Sequence, residues 1–267
     1  MEKIGIIGLG WLGLELAKSF KNENKYVWGT TTSASKLDEV SKYGIDAIQF
    51  EIHESGYEGE ISDYLNQTTH LFINIPPGLR KNQSSNFVKK LSLLLDLISN
   101  SSIKHLTYIS STSVFEDQLE IPVYTESSRP NGTSRTAQQL ITAEDLVLQQ
   151  KSPTVQVLRF GGLIGGERHP AKFLAGRKEL QNPQAPVNLI RREDAVALSK
   201  KLLLNGPSGI FHGVYPNYPT RRVFYSNACK RMNLEIPCFN DLANNFGKKI
   251  SSLKTSNKLN FSFKYQP

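Results

Sequence analysis

Short apolar runs alternate, over the first 160 residues, with segments in which apolar residues recur at the spacing of a helix. The runs are nearly continuous, which is typical of strands covered on both faces of a parallel sheet. They predict strands at residues 4–7, 26–30, 45–50, 71–75, 105–109 and 155–160. Helices are predicted at residues 12–20, about 36–42, 87–98 and 138–149. This alternation indicates an α/β fold with a doubly wound parallel sheet of the Rossmann type.

The pattern changes after Phe160, where glycine and proline become frequent. Such a stretch predicts a loop-rich insertion, which is a common place for substrate contacts. Regular structure is predicted again as strands at residues 187–190 and 209–214, and as helices at about 193–204 and 222–232. We therefore expect a Rossmann domain over residues 1–162, to which residues 193–214 return, and a small substrate-binding lobe over residues 163–267.

The composition narrows the classes of function. The chain has a formal net charge of +8, but its 32 lysines and arginines are dispersed, and no basic run is interleaved with aromatic residues. This favours a basic surface, or a site for an anionic small molecule, over a nucleic-acid site. Two cysteines make no disulfide framework and fit a reducing cytoplasm, and five scattered histidines predict no metal site. Because no run of eighteen apolar residues occurs, we expect no membrane span.

The first predicted turn has the pattern G-x-G-x-x-G, formed by Gly8, Gly10 and Gly13. It follows an apolar strand directly and opens a helix, which is the context in which this pattern binds the diphosphate of a dinucleotide. We expect Gly8 to permit the tight turn, Gly10 to let the backbone approach the diphosphate, and Gly13 to let helix and strand pack closely. The amides of Trp11 and Leu12, at the helix start, would then face the phosphates. The alternative is a glycine-rich turn that binds no ligand.

The end of the second strand indicates which dinucleotide is bound. An NAD site usually has an acidic residue about twenty positions on, which binds the ribose 2′-hydroxyl. Here Thr30, Thr31 and Thr32 are followed by Lys36, and no acidic residue precedes position 38. Hydroxyls and a lysine suit a 2′-phosphate, whereas a carboxylate would repel it. The sequence therefore favours NADP over NAD.

Two nearby segments have both a functional and a structural interpretation. Ser35 alternatively caps the next helix, with Asp38 completing a capping box. Ile75, Pro76 and Pro77 follow the fourth predicted strand, at the sheet edge where ligands of open α/β sheets bind. We expect these three residues beside the cofactor, and the alternative is that they form only a stiff turn.

The residues after the fifth predicted strand carry a family resemblance. The run SSTSVF at residues 110–115 resembles the S-S-x-x-V-Y-G element of extended short-chain dehydrogenases/reductases (SDRs), the class of nucleotide-sugar epimerases and dehydratases. Residues 157–165 and 187–195 resemble that family's L-R-x-x-x-x-x-G and V-N-x-I-H-V-x-D-V segments. With the GLGWLG loop and the RHP run at residues 168–170, the chain resembles the atypical bacterial group called YeeZ-like over nearly its full length.

The resemblance implies a hydride-transfer site built from a Ser or Thr hydroxyl and a Y-x-x-x-K pair. Ser111 matches the hydroxyl that binds the reacting oxygen, and Ser110 counts among the cofactor contacts. In the family the tyrosine is the general acid/base and the lysine lowers its pKa. Glu144 matches a glutamate eight residues after that tyrosine, which puts Thr136 at the tyrosine position and Leu140 at the lysine position. The usual proton transfer of the family is therefore in question.

Several of these residues have structural alternatives. Residues 110–113 alternatively satisfy backbone groups at the strand end, and Thr136 alternatively starts a helix. Tyr124 comes too early in the chain to replace the missing tyrosine unless a loop brings it near. Arg159 is interpreted as a structural ion-pair partner, and Asp194 as a cap or ion-pair partner of the helix that follows it.

His169 and Lys172 lie in the loop where the family binds substrate, so they either contact a phosphate or a sugar or are solvated loop residues. Two functions remain open. One is an NADP-dependent oxidoreductase or epimerase acting on a nucleotide-sugar-like or other small polar substrate. The other is a dinucleotide-binding sensor or regulator without catalysis. A third interpretation, a hydroxyacid dehydrogenase, requires an all-helical second domain, and the chain after Phe160 looks too short and too β-containing for it. The resemblance also implies a homodimer through the helices at 87–98 and 138–149.

Overall fold

The computed structural model describes residues 2–79 and 84–267. The strands are β1 (Lys3–Ile7), β2 (Tyr26–Thr31), β3 (Asp46–Gln49), β4 (Glu51–Ile52), β5 (Tyr57–Glu58), β6 (His70–Ile73), β7 (His105–Ser111), β8 (Val123–Tyr124), β9 (Thr154–Phe160), β10 (Gly162–Ile164), β11 (Leu189–Arg191), β12 (Gly209–Gly213) and β13 (Lys249–Ile250). The helices are α1 (Gly13–Lys21), α2 (Leu37–Ser41), α3 (Ser62–Gln67), α4 (Phe87–Ile98), α5 (Arg135–Leu148), α6 (Ala171–Leu174), α7 (Arg192–Asn205), α8 (Arg221–Arg231) and α9 (Leu253–Leu259). Short 3-10 helices occur at Ala34–Lys36 and Thr112–Val114.

The central sheet has seven strands in the order β12-β9-β7-β6-β1-β2-β3. The neighbours from β7 to β3 pair in parallel, with Ile4 of β1 opposite Val27 of β2 and His70 of β6. The prediction of a doubly wound Rossmann-type sheet is confirmed, and all six strands predicted before residue 161 belong to this sheet. The strand order reverses between β1 and β6, and ligands of such sheets bind outside the carboxyl ends of the strands at this point.

Local hydrogen bonds decide where the helices around the sheet begin. Helix α5 begins at Arg135, three residues before the predicted start, because the Ser134 hydroxyl accepts a hydrogen bond from the Ala137 amide at 3.2 Å. Helix α4 has its predicted bounds, and the Asn86 side chain accepts a hydrogen bond from the Lys89 amide at 3.0 Å. Side-chain capping therefore fixes both helix starts.

The hydrophobic pattern does not predict the short helix α3. It has six residues, too few for a helical period to be visible, and Leu65 is its buried side chain. At its end the Thr68 hydroxyl makes one local bond, donating to the Tyr64 carbonyl at 2.7 Å, and one long-range bond, accepting from the Trp28 indole nitrogen at 2.8 Å. Long-range packing thus stabilises an element that its own residues only weakly specify.

The described residues group into two compact units. The first comprises Met1–Ser111, Ser134–Arg159 and Val196–Phe211, and the second comprises Thr112–Thr133, Phe160–Ala195 and His212–Pro267. Residues 112–133, which the sequence assigns to the first domain, group with the second unit. The boundary at residue 162 and the substrate-binding role of the lobe stay predictions.

The second unit has its own small core and its own strand pairs. Strand β10 pairs in parallel with β11, and β13 pairs in parallel with β8. Its core residues include Ile164, Leu189, Phe224, Tyr225 and Cys229. Both cysteines of the chain belong to this unit and are free, with the first buried and the second, at position 238, exposed. The strands distinguish this unit from the all-helical domain that a hydroxyacid dehydrogenase would require.

A buried carboxylate holds the C-terminal segment of the second unit. Asp194, which is 1% exposed, accepts hydrogen bonds from the Lys264 amide at 3.0 Å and from the Tyr265 amide at 2.9 Å. The sequence relates Asp194 only to the helix that follows it. Its bonds instead reach amides seventy residues further along the chain.

A histidine pair lies at the amino ends of β6 and β7. His70 and His105 face each other in the strand register, and their rings stack in parallel with centroids 4.4 Å apart. Burial, followed by the charge of the neighbouring His105, lowers the pKa of His70 to about 4. Burial also lowers the pKa of His105. Both rings are therefore neutral at neutral pH, and their protonation in acid opposes the folded state.

Candidate functional site

The loop between β1 and α1 brings the glycines of the G-x-G-x-x-G pattern close to the end of β6. Gly8 has a φ of +104°, and a Cβ at this position would lie 2.5 Å from the carbonyl oxygen of Asn74. A Cβ on Gly13 would lie 2.1 Å from the carbonyl oxygen of Gly8. Such distances are far below van der Waals contact, so the protein's own backbone requires glycine at both positions.

Gly10 is a glycine for a different reason. A Cβ on this residue would meet no atom of the described chain within 4 Å, and its φ lies outside the left-handed region. Packing and backbone conformation within the protein therefore leave this glycine unexplained. A ligand whose phosphates approach the loop backbone closely would explain it.

Polar contacts from two strand ends fix the glycine loop. The Thr30 hydroxyl accepts a hydrogen bond from the Gly8 amide at 3.0 Å, and the Thr30 carbonyl accepts one from the Leu9 amide at 2.7 Å. The Asn74 side chain donates to the Gly8 carbonyl at 3.3 Å. Thr30 is 3% exposed. Its first role is thus to hold the loop in shape.

A cavity of about 270 Å³ lies at the carboxyl ends of β1, β2, β3 and β6. The predicted cofactor residues that line it are Gly8, Thr30, Thr31, Thr32, Ile75, Pro76 and Pro77. Gly78, the end of the segment predicted to pass beside the cofactor, also lines it. The lining residues that the sequence did not single out are Ile7, Phe50, Glu51, Ile52, Ser85, Phe87 and Lys90. The predicted cofactor residues outside the lining are Gly10, Trp11, Leu12, Gly13, Lys36 and Ser110. The structure therefore brings three separate predicted segments to one cavity at the switch point of the sheet.

The segment after β2 continues as a 3-10 helix that carries Lys36. The Thr31 hydroxyl accepts a hydrogen bond from the Ser33 amide at 3.3 Å, and the hydroxyls of Ser33 and Ser35 pair at 2.8 Å. Ser35 lies inside the 3-10 helix, and neither that helix nor α2 has a side-chain cap at its start. The alternative of a capping box formed by Ser35 and Asp38 is therefore wrong.

The hydroxyl of Ser110 contributes to a buried ion pair between β7, α5 and β9. Ser110 donates to Glu144 Oε1 at 2.5 Å. Arg159 Nε donates to the same oxygen at 2.9 Å, and Arg159 Nη2 donates to Glu144 Oε2 at 2.6 Å. Arg159 and Glu144 are 1% and 2% exposed. The interpretation of Arg159 as a structural ion-pair partner agrees with this geometry, and Ser110 joins the pair instead of capping the strand end.

Ser111 and Thr136 lie on elements that pack against each other. Ser111 is the last residue of β7 and is partly exposed, and Thr136 lies in the first turn of α5, also partly exposed. Leu140, one turn further along α5, is 3% exposed and belongs to the core. A leucine in this environment supplies neither a charge nor a hydrogen bond, so the lysine function of the SDR pattern has no counterpart at this position.

Two other tyrosines do not replace the missing acid/base group. Tyr108 is fully buried, and burial together with the charge of Glu144 raises the pKa of its phenol far above neutral pH. Tyr124 belongs to the second unit, where its hydroxyl donates to the Glu116 carbonyl at 3.2 Å and accepts from the Asn131 side chain at 3.0 Å. Tyr108 therefore belongs to the core, and the hydroxyl of Tyr124 takes part in hydrogen bonds within the second unit.

The predicted substrate residues lie near several cations of the second unit. The ring of His169 stacks on Phe224, with centroids 5.7 Å apart, and its Nδ1 accepts a hydrogen bond from the Ala171 amide at 3.2 Å. Burial lowers the pKa of His169, and the nearby charges of Arg231, Arg191 and Lys172 lower it further, in that order. The neutral ring consequently carries its proton on Nε2. Lys172 pairs with the exposed Glu167 at 3.0 Å.

The comparisons with known proteins identify the family. No family model matches the sequence. Protein YeeZ of Escherichia coli strain K12 is 30% identical over 269 aligned positions, which cover 99% of this chain and 97% of that protein. The chain belongs to the YeeZ family. The resemblance predicted from the sequence motifs is confirmed.

Solved structures similar to this YeeZ-family chain include two sugar-nucleotide epimerases. A UDP-N-acetylglucosamine 4-epimerase from Bacillus cereus matches 100% of the chain and 92% of its own length, with a TM-score of 0.78 and 17% identity. A UDP-glucuronic acid 4-epimerase from Bacillus cereus, solved in complex with NAD, matches 99% and 94%, with a TM-score of 0.77 and 15% identity. At these identities the likeness establishes the fold of the chain.

Two further features concern the residues that the structure describes. Within residues 2–79 and 84–267, no helix has the length and apolarity needed to cross a membrane. Over the same ranges, no group of three or more His, Cys, Asp or Glu side chains is arranged as metal ligands.

Sequence reasoning missed part of the lining of the cavity in this YeeZ-family chain. Glu51 directly follows the third predicted strand, so the rule that ligands bind at strand ends was sufficient to find it. Lys90 lies inside a helix that the sequence predicts correctly, but no local signal relates that helix to the cavity. Only the packing of α4 against α5 and β4 brings this lysine to the cavity.

Proposed function

We propose that this chain is an NADP-dependent oxidoreductase or epimerase of the SDR type, acting on a nucleotide-sugar-like or other small polar substrate. The observation that carries the proposal is Gly10. It is a glycine that neither packing nor backbone conformation requires, on a loop where both neighbouring glycines of the motif are required by the backbone. A bound diphosphate gives this glycine a physical reason.

The residues present fit such a cofactor. The start of α1 leaves amide groups without acceptors inside the helix, and these groups suit phosphate oxygens. The adjacent cavity offers the hydroxyl-bearing end of β2 and the apolar side chains Ile75 and Pro76 to the adenosine part. We assign the cofactor contacts to the glycine loop and this cavity. When bound, the dinucleotide would supply a hydride acceptor or donor at its nicotinamide ring.

We assign Ser111 and Thr136 to the reacting end of the site. Ser111 has the position of the SDR hydroxyl that donates a hydrogen bond to the reacting substrate oxygen. Thr136 offers a second hydroxyl, which can hold a proton donor such as water in place but is itself a poor acid near neutral pH. Because Leu140 lacks a charge, we expect slow turnover compared with an SDR that has the complete tyrosine and lysine pair.

We assign the substrate contacts to His169 and Lys172. The neutral His169 ring has an Nε2–H donor, and the cations near it favour an anionic group such as a phosphate. The two structurally similar proteins from Bacillus cereus are named as epimerases of UDP-sugars, which supports a phosphate-bearing sugar as the substrate class. A phosphate that binds beside His169 is expected to raise the pKa of its ring.

The cofactor assignment is tested by calorimetric titration of NADPH and NADH into the wild-type protein and the variant Gly10→Ala. The added methyl group meets no atom of the described chain, so the variant should keep the wild-type unfolding temperature. It should nevertheless lose dinucleotide affinity by about tenfold or more, since the methyl group occupies the space of the phosphates. Wild-type affinity in the variant, or no binding to the wild type, would reject the proposal.

A second candidate function is a dinucleotide-binding sensor without catalysis. The observation that favours it is the buried, uncharged Leu140 at the lysine position, together with a threonine at the tyrosine position. Incubation with NADPH and a panel of carbonyl compounds and sugar nucleotides, followed by absorbance, separates the two functions. Turnover that disappears in Ser111→Ala supports the enzyme, whereas tight binding without any turnover supports the sensor.

We also propose that the chain forms a homodimer through α4 and α5, which pack side by side. Both helices carry partly exposed apolar side chains on their outer surface, such as Leu93, Leu97, Ile141 and Leu148. Sedimentation equilibrium of the wild type should give twice the chain mass, and the variant Ile141→Glu should shift it to the monomer. A wild type that sediments as a monomer at all concentrations contradicts this assignment.

A further inference from the structure

The choice between NADP and NAD depends on which cationic side chain reaches the 2′ position of the adenosine ribose. The sequence assigns this role to Lys36, because it follows the threonines at the end of β2. Lys36 lies at the end of the 3-10 helix, is exposed, and is not among the residues that line the cavity.

Lys90 lies at the cavity that Lys36 does not line. It belongs to the second turn of α4, is partly buried, and lines the cavity together with Thr31 and Thr32. Among the described lining residues, Lys90 has the one cationic side chain and Glu51 the one carboxylate. A 2′-phosphate in this cavity would face the repulsion of that carboxylate, so a cation at the same cavity has a specific electrostatic task.

The position of Lys90 is fixed by the start of its helix. Two hydrogen bonds connect the helix start to α5, because Gln139 accepts from the Phe87 amide at 2.6 Å and donates to the Ser85 carbonyl at 3.1 Å. A third bond connects it to the segment after β4, where Glu54 accepts from the Asn86 amide at 2.8 Å. This amide, followed by other groups that include the charge of Lys90, lowers the pKa of Glu54. The helix that carries Lys90 is thus held on two sides.

The threonines of β2 cannot replace this cation. The Thr30 hydroxyl accepts from the Gly8 amide and the Thr31 hydroxyl accepts from the Ser33 amide, and each keeps at most one proton to donate. Hydroxyl donors bind a phosphate but do not balance its charge. An ammonium group does both, with hydrogen bonds about twice as strong as those of neutral donors.

We propose that Lys90 is the residue that selects the 2′-phosphate, by binding it from the α4 side of the cavity. This inference rests on the proposed function, since it requires that the cavity holds the adenosine part of a dinucleotide. NADP is then recognised by α4, which begins more than fifty residues after the end of β2, with four strands in between. The threonines position the loop and the ribose.

The test compares dissociation constants of NADPH and NADH for the wild type, Lys90→Gln, Lys89→Gln and Lys36→Gln. Lys89 is the matched control, because it has the same charge, is adjacent on α4, is close to Glu54 as well, and does not line the cavity. We expect Lys90→Gln to weaken NADPH by about tenfold or more and to leave NADH unchanged, whereas the two other variants keep the wild-type ratio. Lys90→Arg should restore most of the preference.

A second measurement avoids the nicotinamide and any catalysis. Adenosine 2′,5′-bisphosphate and adenosine 5′-monophosphate are titrated into the same variants, and only the affinity of the bisphosphate should fall in Lys90→Gln. An unchanged NADPH to NADH ratio in Lys90→Gln, or a change of ratio that follows Lys36→Gln, overturns the inference while dinucleotide binding itself stands. A wild type that binds neither dinucleotide rejects the proposed function instead.

Discussion

The buried ion pair beside the candidate catalytic strand gives a quantitative prediction. The carboxylate of Glu144 accepts hydrogen bonds from the Ser110 hydroxyl and from two nitrogens of Arg159, with distances between 2.5 and 3.1 Å. This carboxylate connects three elements, which are strands β7 and β9 and helix α5. The variant Glu144→Leu removes it. The guanidinium of Arg159 remains in an environment that exposes 1% of the residue.

The expected cost follows from the burial of the charge that remains. Removal of one partner from a buried ion pair typically lowers the free energy of unfolding by about 3–5 kcal/mol, because the other charge keeps its desolvation penalty. The loss of the Ser110 hydrogen bond adds about 1 kcal/mol or more. We therefore expect Glu144→Leu to lower the free energy of unfolding by about 4–6 kcal/mol. The double variant Glu144→Leu/Arg159→Met, which removes both charges, should recover most of this loss.

Urea unfolding followed by tryptophan fluorescence measures these changes, since Trp28 is 1% exposed within the first unit. The four proteins of the double-mutant cycle are compared with Glu15→Gln as a control. This variant breaks the solvent-accessible pair of Glu15 with Lys18 at 3.1 Å and should cost less than about 1 kcal/mol. If Glu144→Leu costs no more than the control, or if the double variant is less stable than both single variants, the argument from buried charge is refuted.

Three further predictions concern other parts of the chain. Folding lowers the pKa of His70 from about 6.5 to about 4, so as the pH falls the unfolded state of the protein takes up a proton on this ring before the folded state does. Stability is then lost from pH 6.5 down to 4, by up to about 3 kcal/mol, and His70→Gln should flatten this slope in unfolding measured at several pH values. Gly13→Ala should lower the free energy of unfolding by about 1–3 kcal/mol, unlike the alanine variant at position 10, since its methyl group would collide with the Gly8 carbonyl; a wild-type urea midpoint contradicts this. Asp194→Ala should increase hydrogen exchange of the Lys264 amide well above that of amides elsewhere in the second unit, and unchanged protection there would show that the carboxylate does not hold this segment.

The amino-acid sequence by itself determined the features that depend on near neighbours. Continuous apolar runs specify strands covered on both faces, and six of them lie in the central sheet close to their predicted bounds. The G-x-G-x-x-G pattern likewise specified a loop that needs glycine, since a backbone at φ +104° next to a strand end excludes a side chain at Gly8. The motifs of residues 110–115, 157–165 and 187–195, together with the GLGWLG loop and the RHP run, were sufficient for the family.

Only the tertiary structure decided which residues meet across long separations. Ser110 and Glu144 are 34 positions apart, and the hydroxyl that the motif assigned to the cofactor bonds to a carboxylate on α5. In the same way, the sequence assigned the cation of the cofactor site to Lys36, whereas the packing of the helices brings Lys90 to the cavity. Periodicity along a segment records which face is buried, but it does not record which other segment covers that face. Strand register and helix packing make that choice, because the side chains of the whole core must fill one volume together.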